Sequence, residues 1–375
     1  MRFKLLVVLM LFSGGVFAQS VTMYMSYGGV QRDFTVHLPT GYSNGQHLPV
    51  VFNFHGFTSN AYQQELYSQM STTADANHFI VVYPDGVSNQ WNVGWFGTYN
   101  TGVDDVGFVS KMIDTLSLLY HIDLNRVYAT GISNGGFLSH RLACELSDRI
   151  AAIASVAGEL TDSTEFYCHP SHKMPVMLIH GTADPTVPYA GLPGSFSIEQ
   201  TISYWLNKNS CSTVSDTVNV PNTNTTDSST AQKIDYAACP SSEVLFYKII
   251  GGGHTWPNGI INTGFGPTCR DFDGSTEIWN FFNRYTLSST TAIHDISKDE
   301  AEINVYPNPV EDKLTIDMNT EIKTIEVFNL LGEQVLTREI YTAKAQLNIA
   351  TLANGIYVLR INTPGFSLTR RIVKN

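Results

Sequence analysis

The chain has 375 residues, of which 43% are hydrophobic, and its formal net charge is -11. This length and hydrophobic content exclude a disordered or repeat protein and leave room for more than one domain. The acidic balance disfavours nucleic acid and anionic membrane surfaces as partners, so a neutral substrate is the easier one to bind.

The chain begins with a segment typical of an export signal. The first eighteen residues, MRFKLLVVLMLFSGGVFA, combine a basic start, a short apolar stretch and small residues before Gln19. This pattern predicts a signal peptide over residues 1–18, with cleavage after Ala18. The apolar stretch is too short to span a membrane, and no later segment is long enough. We therefore expect a secreted protein without a membrane span.

Export through an oxidising compartment favours disulfides between the five cysteines of the chain. The sequence does not fix their pairing. Cys211 and Cys239 bracket a Ser/Thr/Asn-rich stretch that would otherwise be loose, which favours a bridge between these two. A bridge between Cys144 and Cys168 is the next expectation and leaves Cys269 unpaired. None of them shows the paired short spacing of a zinc site, so no metal site is predicted.

Apolar runs and amphipathic segments alternate through the body of the chain. Buried strands are predicted at LPVVFNFHG, FIVVYPDG, NRVYATG, AAIASVAG, MPVMLIHGTAD and EVLFYKIIGGG. Helices are predicted at DDVGFVSKMIDTLSLLYHI, NGGFLSHRLACELSD, SIEQTISYWLNKN and STEIWNFFNRY. Because the strands are apolar throughout and alternate with helices, we predict an α/β fold with a mostly parallel sheet covered by helices on both faces.

A G-x-S-x-G motif, Gly131-Ile132-Ser133-Asn134-Gly135, lies between the predicted strand NRVYATG and the helix that follows it. A tight strand-to-helix turn holds its serine in a strained backbone conformation and exposes the hydroxyl at the top of the sheet. The same pattern also occurs by chance in ordinary turns of a chain with 29 glycines. The strand-turn-helix context favours Ser133 as a catalytic nucleophile.

A serine nucleophile needs a general base and a carboxylate that orients the base. Asp184 ends the strand VMLIHGTAD, and His254 follows the glycine run of YKIIGGG. Both positions lie after strands at the carboxyl edge of the predicted sheet, and their order after the serine is the acid-then-base order of a G-x-S-x-G hydrolase. Asp162 is the alternative acid. His180 and His55 are the alternative bases, and each is better explained as a structural residue.

The tetrahedral intermediate of such a reaction needs backbone donors for its oxyanion. We expect one donor to be the N–H of Asn134, directly after the nucleophile. The other should come from the turn FHGFTSN, where we choose the N–H of Phe57, with Gly56 as the alternative.

Two tryptophans are candidate substrate-binding residues. Trp256 follows the predicted base by two positions, so we expect its ring to form a wall of the cleft and to stack on sugars or phenolic acids. Trp91 follows the strand FIVVYPDG, and cleft and core positions are equally compatible with its place in the chain.

Six motifs in chain order resemble those of one enzyme family. NFHGFTSNA, VVYPDG followed by Trp91, DDVGFV, YATGISNGG, HGTADPTVPY and GGGHTWP together resemble the secreted polyhydroxybutyrate depolymerase and feruloyl or acetylxylan esterase family of α/β-hydrolases. The resemblance covers roughly residues 30–285. It implies the α/β-hydrolase fold, a triad of Ser133, Asp184 and His254, and ester hydrolysis through an acyl-enzyme without metal or organic cofactor.

The substrate that this resemblance implies is an ester. We expect feruloyl or acetyl esters on plant polysaccharide, and a polyhydroxybutyrate-type polyester is the alternative. A serine peptidase is less favoured because no added propeller or cap domain is visible in the sequence. A non-catalytic binding protein of the same fold is less favoured because all three triad positions are filled.

The character of the sequence changes after Tyr285. Residues 286–303 are polar and without periodicity, which predicts a linker. Short alternating runs separated by turn residues then predict a small antiparallel β-sandwich over residues 304–375. A carbohydrate-binding sandwich is the alternative, but few aromatic residues remain to build a sugar platform.

The motif YPNP, the run LANGIYVLRI and the basic end of the chain resemble the C-terminal sorting domain of type IX secretion in Bacteroidetes. The resemblance implies that the type IX machinery is a partner and that the enzyme passes through the periplasm to the cell surface or the medium. The predicted organisation is a signal peptide, a catalytic domain over residues 19–285, a linker and a sorting domain.

Overall fold

The computed structural model describes residues 19–43, 45–259, 264–287, 303–329, 333–363 and 367–375. The predicted signal peptide and most of the predicted linker lie outside these residues. Within the described part of the chain, no helix is both long enough and apolar enough to cross a membrane.

Ten strands of the N-terminal part form one sheet. In chain order they are β1 (Gln19–Tyr27), β2 (Val30–Leu38), β3 (Val50–Phe54), β4 (Ile80–Pro84), β5 (Val127–Ile132), β6 (Ala152–Val156), β7 (Val176–Gly181), β8 (Asp216–Asn219), β9 (Thr230–Cys239) and β10 (Ser242–Ile250). Across the sheet the order is β1-β2-β4-β3-β5-β6-β7-β10-β9-β8. The six central strands run parallel, and the two strands at each edge pair antiparallel. The mostly parallel sheet is therefore confirmed.

Seven α-helices in the described residues accompany the sheet. They are α1 (Ala61–Ser68), α2 (Met70–Asn77), α3 (Asp105–Tyr120), α4 (Asn134–Glu145), α5 (Asp162–Phe166), α6 (Ile198–Asn209) and α7 (Gly274–Phe282). Each strand from β3 to β7 is buried along its whole length. Alternate residues of β3 belong to two separate core clusters, with Val50 and Phe52 in one and Val51 in the other. Two cores on opposite faces explain why these strands are apolar throughout.

Two disulfides form, Cys144–Cys168 and Cys211–Cys239, and Cys269 is free and buried. Both pairings agree with the sequence prediction. The stretch between Cys211 and Cys239 differs from the expected loose segment, because it contains β8 and β9. Pairing with the edge of β10 satisfies the backbone of β9, while the exposed side chains of β8 leave no apolar alternation in the sequence from which that strand could be predicted.

The C-terminal part is a separate antiparallel sheet. Its strands are β11 (Ile303–Tyr306), β12 (Lys313–Asn329), β13 (Gln334–Asn348), β14 (Gly355–Asn362) and β15 (Ser367–Lys374). The long strand β12 pairs with β11, β13 and β14. Its inward positions, among them Leu314, Ile316 and Ile325, bury an apolar cluster of their own. Runs that the sequence shows as separate, such as KLTIDM and TIEVFNL, are joined in the single strand β12.

Candidate active site

The predicted catalytic residues all follow central strands of the ten-stranded sheet. Ser133 comes directly after β5, Asp184 lies in the loop after β7, and His254 lies in the loop after β10. These strands are parallel, and β10 is the neighbour of β7. Parallel strands end at the same edge, so the topology carries the three residues to one edge of the sheet, where ligands of open α/β sheets bind.

Ser133 occupies a strained turn between β5 and α4. Its backbone has φ 55° and ψ −123°, a region that residues with a side chain rarely adopt and that costs about 1–3 kcal/mol. The Ser133 N–H donates to the carbonyl of Val156 at the end of β6 (2.8 Å). A Cβ on Gly135 would lie 2.2 Å from the carbonyl oxygen of Phe54, so only glycine allows α4 to begin this close to β3. The turn is thus fixed from both neighbouring strands.

His254 and Asp184 are joined by a hydrogen bond. His254 Nδ1 lies 2.7 Å from Asp184 Oδ2, and both residues are almost fully buried. The other oxygen of Asp184, Oδ1, accepts the backbone N–H groups of Thr186 and Val187, each at 2.8 Å. The carboxylate is therefore held by the backbone on one side and orients the imidazole with the other. Asp162, the alternative acid, is exposed at the start of α5.

Glycines allow the loop of His254 to approach β7. A Cβ on Gly181 would lie 2.2 Å from the carbonyl oxygen of Gly252, and one on Gly253 would lie 2.3 Å from that of Phe265. The His254 N–H donates to the same Phe265 carbonyl (2.8 Å). The glycine run noted in the sequence thus lets the loop turn tightly enough for His254 to reach Asp184.

His180 also contacts the acid, a contact that the sequence analysis missed. Its Nε2 lies 2.9 Å from the carbonyl oxygen of Val187 and 3.5 Å from Asp184 Oδ2. Burial lowers the pKa of His180 to about 4, so the ring is neutral at pH 7 and donates Nε2–H toward these oxygens. The place of both residues in one strand-to-loop segment, HGTAD, is the signal in the sequence that points to this contact.

The turn after β3 lies against the nucleophile. A Cβ on Gly56 would lie 3.4 Å from Ser133 Cβ, so the backbone of this turn passes next to the serine. The N–H of Asn134 belongs to the first turn of α4, where amides have no acceptor within the helix. His55 braces the turn, because its Nε2 accepts the Gly86 N–H at 3.0 Å. Burial lowers the pKa of His55 to about 4, which keeps the ring neutral as an acceptor.

The structure corrects the expectation for Trp256. The residue is 0% exposed, and its indole Nε1–H donates to Ser275 Oγ (3.2 Å) while its backbone N–H donates to the hydroxyl of Tyr67 (2.8 Å). A ring enclosed in the core has no face to offer to a sugar or a phenolic acid. Closeness to His254 in the chain does not set the direction of the side chain, and here the ring points into the core beneath the loop.

Trp91 is also buried, which favours the core position of the two that the sequence allows. It is 3% exposed, and its Nε1–H donates to the carbonyl of His55 (2.9 Å). The Asn134 side chain binds both backbone groups of Trp91, accepting the N–H at 2.6 Å and donating to the carbonyl at 3.2 Å. Trp91 thus ties the turn after β3 to the start of α4.

Exposed aromatic rings occur next to the site at positions that the sequence analysis did not select for substrate contact. The Phe265 ring lies edge-on to the His254 ring with centroids 6.0 Å apart, and Phe265 is 47% exposed. The Phe57 side chain, one residue after Gly56 in the turn next to the nucleophile, is 60% exposed. An aromatic residue between Gly264 and Gly266, shortly after the predicted base, is the signal that identifies Phe265.

One group of potential metal ligands occurs in the described residues, formed by Asp227, Cys269 and Asp271, with donor atoms within 4.8 Å of one another. The two carboxylates already accept backbone N–H groups, Asp271 from Thr223 and Asn224 and Asp227 from Ser229 and Arg270. These bonds explain the cluster as part of the loop structure.

Two family models match the chain. The Phospholipase/Carboxylesterase model matches residues 104–216, which include Ser133 and Asp184. The secretion system C-terminal sorting domain model matches residues 304–375. The two models thus match different sheets of the structure.

Three curated relatives that match the chain are esterases by name. A putative esterase, NocK, from Nocardia uniformis subsp. tsuyamanensis is 30% identical over 230 residues, which cover 57% of this chain and 67% of that protein. Feruloyl esterase B from Piromyces equi is 30% identical over 165 residues, covering 43% of this chain and 30% of that protein. The bifunctional acetylxylan esterase/xylanase XynS20E from Neocallimastix patriciarum is 25% identical, covering 72% of this chain and 36% of that protein. The chain thus spans about a third of the two latter proteins.

Among solved structures, an acetyl xylan esterase from Aspergillus awamori has a TM-score of 0.51 at 13% identity, and the match covers 71% of this chain and 99% of that one. At this identity the likeness shows the fold, which is that of the α/β-hydrolases. The family models, the relatives and this fold together show that the chain carries a secretion sorting domain in its C-terminal part. They also show that it belongs to the carboxylesterase family of α/β-hydrolases, whose members are carboxylic ester hydrolases.

Proposed function

We propose that this chain is a secreted serine esterase that hydrolyses feruloyl or acetyl esters on plant polysaccharide, with Ser133 as nucleophile, His254 as base and Asp184 as acid. The observation that carries the proposal is the 2.7 Å hydrogen bond between His254 Nδ1 and Asp184 Oδ2, at the sheet edge that also holds the strained turn of Ser133. A neutral histidine fixed by a carboxylate is the base that a serine hydroxyl requires.

Acylation begins when His254 Nε2 takes the proton of the Ser133 hydroxyl and Oγ attacks the ester carbonyl carbon. Asp184 accepts the Nδ1–H of His254 and stabilises the imidazolium that forms. The oxyanion accepts hydrogen bonds from the N–H groups of Phe57 and Asn134, and removing one such donor typically costs 100- to 1,000-fold in kcat. The positive end of the α4 dipole, close to Asn134, acts in the same direction.

The tetrahedral intermediate collapses when His254 returns the proton to the alcohol oxygen. The alcohol leaves and the acyl group remains on Ser133 Oγ. Water then attacks the acyl carbonyl carbon and gives its proton to His254, and the second intermediate collapses by cleavage of the bond to Ser133 Oγ, which takes the proton back from His254 as the acid leaves. His254 thus takes up a proton in each attack and returns it in each collapse, so water is the one co-reactant that the cycle consumes.

The substrate class is supported by the named relatives, which include feruloyl and acetylxylan esterases. It is also supported by the exposed rings of Phe57 and Phe265 beside the site, since aromatic rings offer a large apolar face to a phenolic acid or a sugar. The acidic surface does not repel uncharged polysaccharide esters. The sorting domain supports release by type IX secretion to the cell surface or the medium.

A panel of substrates tests this proposal. The panel contains feruloylated arabinoxylan oligosaccharides, acetylated xylo-oligosaccharides, a hydroxybutyrate trimer and a peptide, and kcat/KM is measured for each because it reports transition-state discrimination. We expect the highest value for one of the two polysaccharide esters. A highest value for the hydroxybutyrate trimer would overturn the substrate and identify a polyester hydrolase, and activity on the peptide alone would overturn the esterase proposal itself.

A further inference from the structure

A buried carboxyl group with no part in the proposed mechanism lies between two loops at the active-site edge. Glu159 follows β6 and is 0% exposed. Its Oε2 lies 2.7 Å from Ser195 Oγ, and its Oε1 has no hydrogen-bond partner within the described part of the chain. A buried carboxylate with a bare oxygen is costly, so the neutral acid is the stable form in such a place.

Ser195 belongs to the segment that connects the triad acid to α6. We call residues 185–197 the acid loop, because they follow Asp184 directly. The acid loop is anchored to the segment after β6 by three links: Phe196 N–H to the Leu160 carbonyl (2.8 Å), Asp162 N–H to the Gly194 carbonyl (3.1 Å), and the Glu159–Ser195 bond. Glu159 is the side chain at this junction that changes charge.

The first residues of the acid loop are fixed by Asp184 itself, which accepts the N–H groups of Thr186 and Val187. The end of the loop is held from the side of Glu159. Asp184 and Glu159 therefore hold the two ends of one loop. A change at the Glu159 end is transmitted to the acid by a short, hydrogen-bonded segment and by the direct repulsion of two buried negative charges.

Ser195 can serve either protonation state of Glu159. Its hydroxyl also lies 3.2 Å from the Leu192 N and 3.3 Å from the Leu192 carbonyl oxygen. When Glu159 is protonated at Oε2, it donates to Ser195 Oγ, and Ser195 donates to the Leu192 carbonyl. When Glu159 has lost its proton, Ser195 turns its hydroxyl to Oε2 and gives up the Leu192 carbonyl. Deprotonation thus exchanges one loop bond for another and adds a buried charge.

Charged groups around Glu159 decide when this exchange occurs. Burial, assisted by the charge of Asp184, raises the pKa of Glu159 to about 7, although the Ser195 hydroxyl and the Leu192 amide oppose the rise. Asp184 is the charged side chain that acts on Glu159 across the junction, and the imidazoles of His180 and His254 both contact Asp184.

We propose that Glu159 is a positioning residue whose protonation, through Ser195 and the acid loop, sets the charge and the anchorage of the Asp184–His254 pair. This proposal rests on the proposed function for its catalytic part, whereas the part that concerns the neutral buried carboxyl is independent of it. Below neutral pH Glu159 is uncharged, and Ser195 keeps its hydrogen bond to the Leu192 carbonyl. Above neutral pH the negative charge of Glu159 acts on Asp184.

The first test compares the melting temperature of the wild type with that of Glu159→Gln between pH 5 and pH 9. The amide keeps the shape and a hydrogen bond to Ser195 but cannot ionise. A group whose proton affinity is higher in the folded state than in the unfolded state loses its stabilising contribution as the pH rises through its folded-state pKa. We therefore expect the melting temperature of the variant to rise relative to that of the wild type between the ordinary pKa of 4.5 and about pH 7, and the difference to level off above that pH. If the difference in melting temperature between the two proteins does not depend on pH, the inference that Glu159 is buried as a neutral carboxyl group is wrong.

The second test measures the acid limb of kcat/KM against pH for the same two proteins, with an activated acetate ester. A negative charge near the base favours its protonated form, and Glu159 gains that charge only as the pH rises toward about 7. The upper part of the wild-type acid limb should therefore be displaced to higher pH, and the variant should reach its plateau roughly 0.5–1 pH unit lower. A purely structural role would lower kcat without moving the profile. If the melting temperatures differ with pH as expected but the pH profile of kcat/KM does not move, the coupling of Glu159 to the triad is overturned. If the wild type does not hydrolyse the ester at all, the proposed function is overturned instead.

Ser195→Ala provides a second variant if Glu159→Gln does not fold. It keeps the carboxyl and removes the hydroxyl that stabilises the carboxylate. The pH at which the fall in melting temperature levels off should then move upward relative to the wild type. A downward move, or none, would contradict the assigned role of Ser195.

Discussion

The two β-sheets of this chain bury their residues in different ways. Strands β3 to β7 of the first sheet are buried at every position, whereas β12 of the second alternates between buried and exposed positions. The first sheet keeps His55, His180, Asp184 and His254 buried at its edge, while the second has an apolar core, with Thr363 and Lys374 as the buried polar residues of its described part.

The difference follows from connectivity. Parallel strands need long crossovers, and their loops gather at one edge, where backbone and side chains can enclose polar groups and satisfy them. Antiparallel strands joined by short turns have no comparable edge. We therefore assign catalysis to the first sheet and recognition by the secretion machinery to the second, and the following predictions test that division.

Ser133→Ala should have the largest effect. Triad residues act as a unit, so kcat for an activated acetate ester should fall by about four to six powers of ten, and His254→Ala should match it. The melting temperature should stay within about 2 °C of the wild type, since no core atom is removed. Ser43→Ala is the matched control, because Ser43 is an exposed serine in the loop between β2 and β3. This variant should retain full activity. A tenth of the wild-type activity in either triad variant would refute the assignment.

Trp256→Ala should act on stability and not on substrate selection. A fully buried tryptophan replaced by alanine typically loses about 3–5 kcal/mol in the free energy of unfolding, measured by urea titration. The ratio of KM values for a feruloyl ester and a small acetate should stay the same.

Phe265→Ala is the matched comparison, because this ring is exposed beside His254. It should cost little stability and raise KM for the feruloyl ester more than for the acetate. If Trp256→Ala raised KM for the feruloyl ester more than for the acetate and left the stability unchanged, Trp256 would line the cleft after all, contrary to the structure.

The double substitution Cys211→Ala/Cys239→Ala sharpens the comparison at the edge of the first sheet. Loss of a bridge that closes a separation of 28 residues should lower the free energy of unfolding by about 3–4 kcal/mol in the loop-entropy model. Dithiothreitol should lower the melting temperature of the wild type, and less so that of the double variant. Free thiols at both positions in the peptide map of the purified protein would contradict the bridge.

Removal of the second sheet should have the smallest effect on catalysis. We place the truncation after Leu287, because the Leu287 N–H donates to the carbonyl of Asn125, between α3 and β5 (2.8 Å). Leu287 therefore still belongs to the part of the chain that forms the first sheet. The purified truncated protein should keep its kcat/KM within about twofold, since a domain with its own core folds alone. In the native host the same truncation should shift esterase activity from the medium to the periplasm.

Each half of the truncation experiment can fail separately. Unchanged secretion would refute the sorting role of the second sheet. Loss of activity in the purified truncated protein would show that the second sheet supports the first.

Local apolar patterns were enough to predict the central strands, α3 and α4, because burial on both faces leaves an unbroken apolar run and a capped amphipathic helix leaves a stripe. The strand-turn-helix position of Ser133 and the glycine run before His254 were also readable, and the structure joins His254 to Asp184. The edge strands β8 and β9 were not predicted, since β8 is exposed at every position and β9, although Ile234 and Tyr236 pack against the core, has no continuous apolar run.

Side-chain direction was the other failure. Trp256 and Phe265 both lie close to His254 in the chain, yet one ring is enclosed and the other is exposed. The local sequence around Trp256 does not show that its ring is enclosed, because the packing of Tyr67 and α7 around it comes from distant parts of the chain. The roles of Ser133, Asp184 and His254 stay predictions that kinetics must test.

The most direct test is to locate the residue that forms the covalent intermediate. The full-length protein is inactivated with a fluorophosphonate, digested and analysed by mass spectrometry, beside the Ser133→Ala variant. We expect complete loss of activity with a single adduct on the Ser133 hydroxyl, and no adduct in the variant. An adduct on another residue that accounts for the lost activity, or full activity after treatment, would contradict the account.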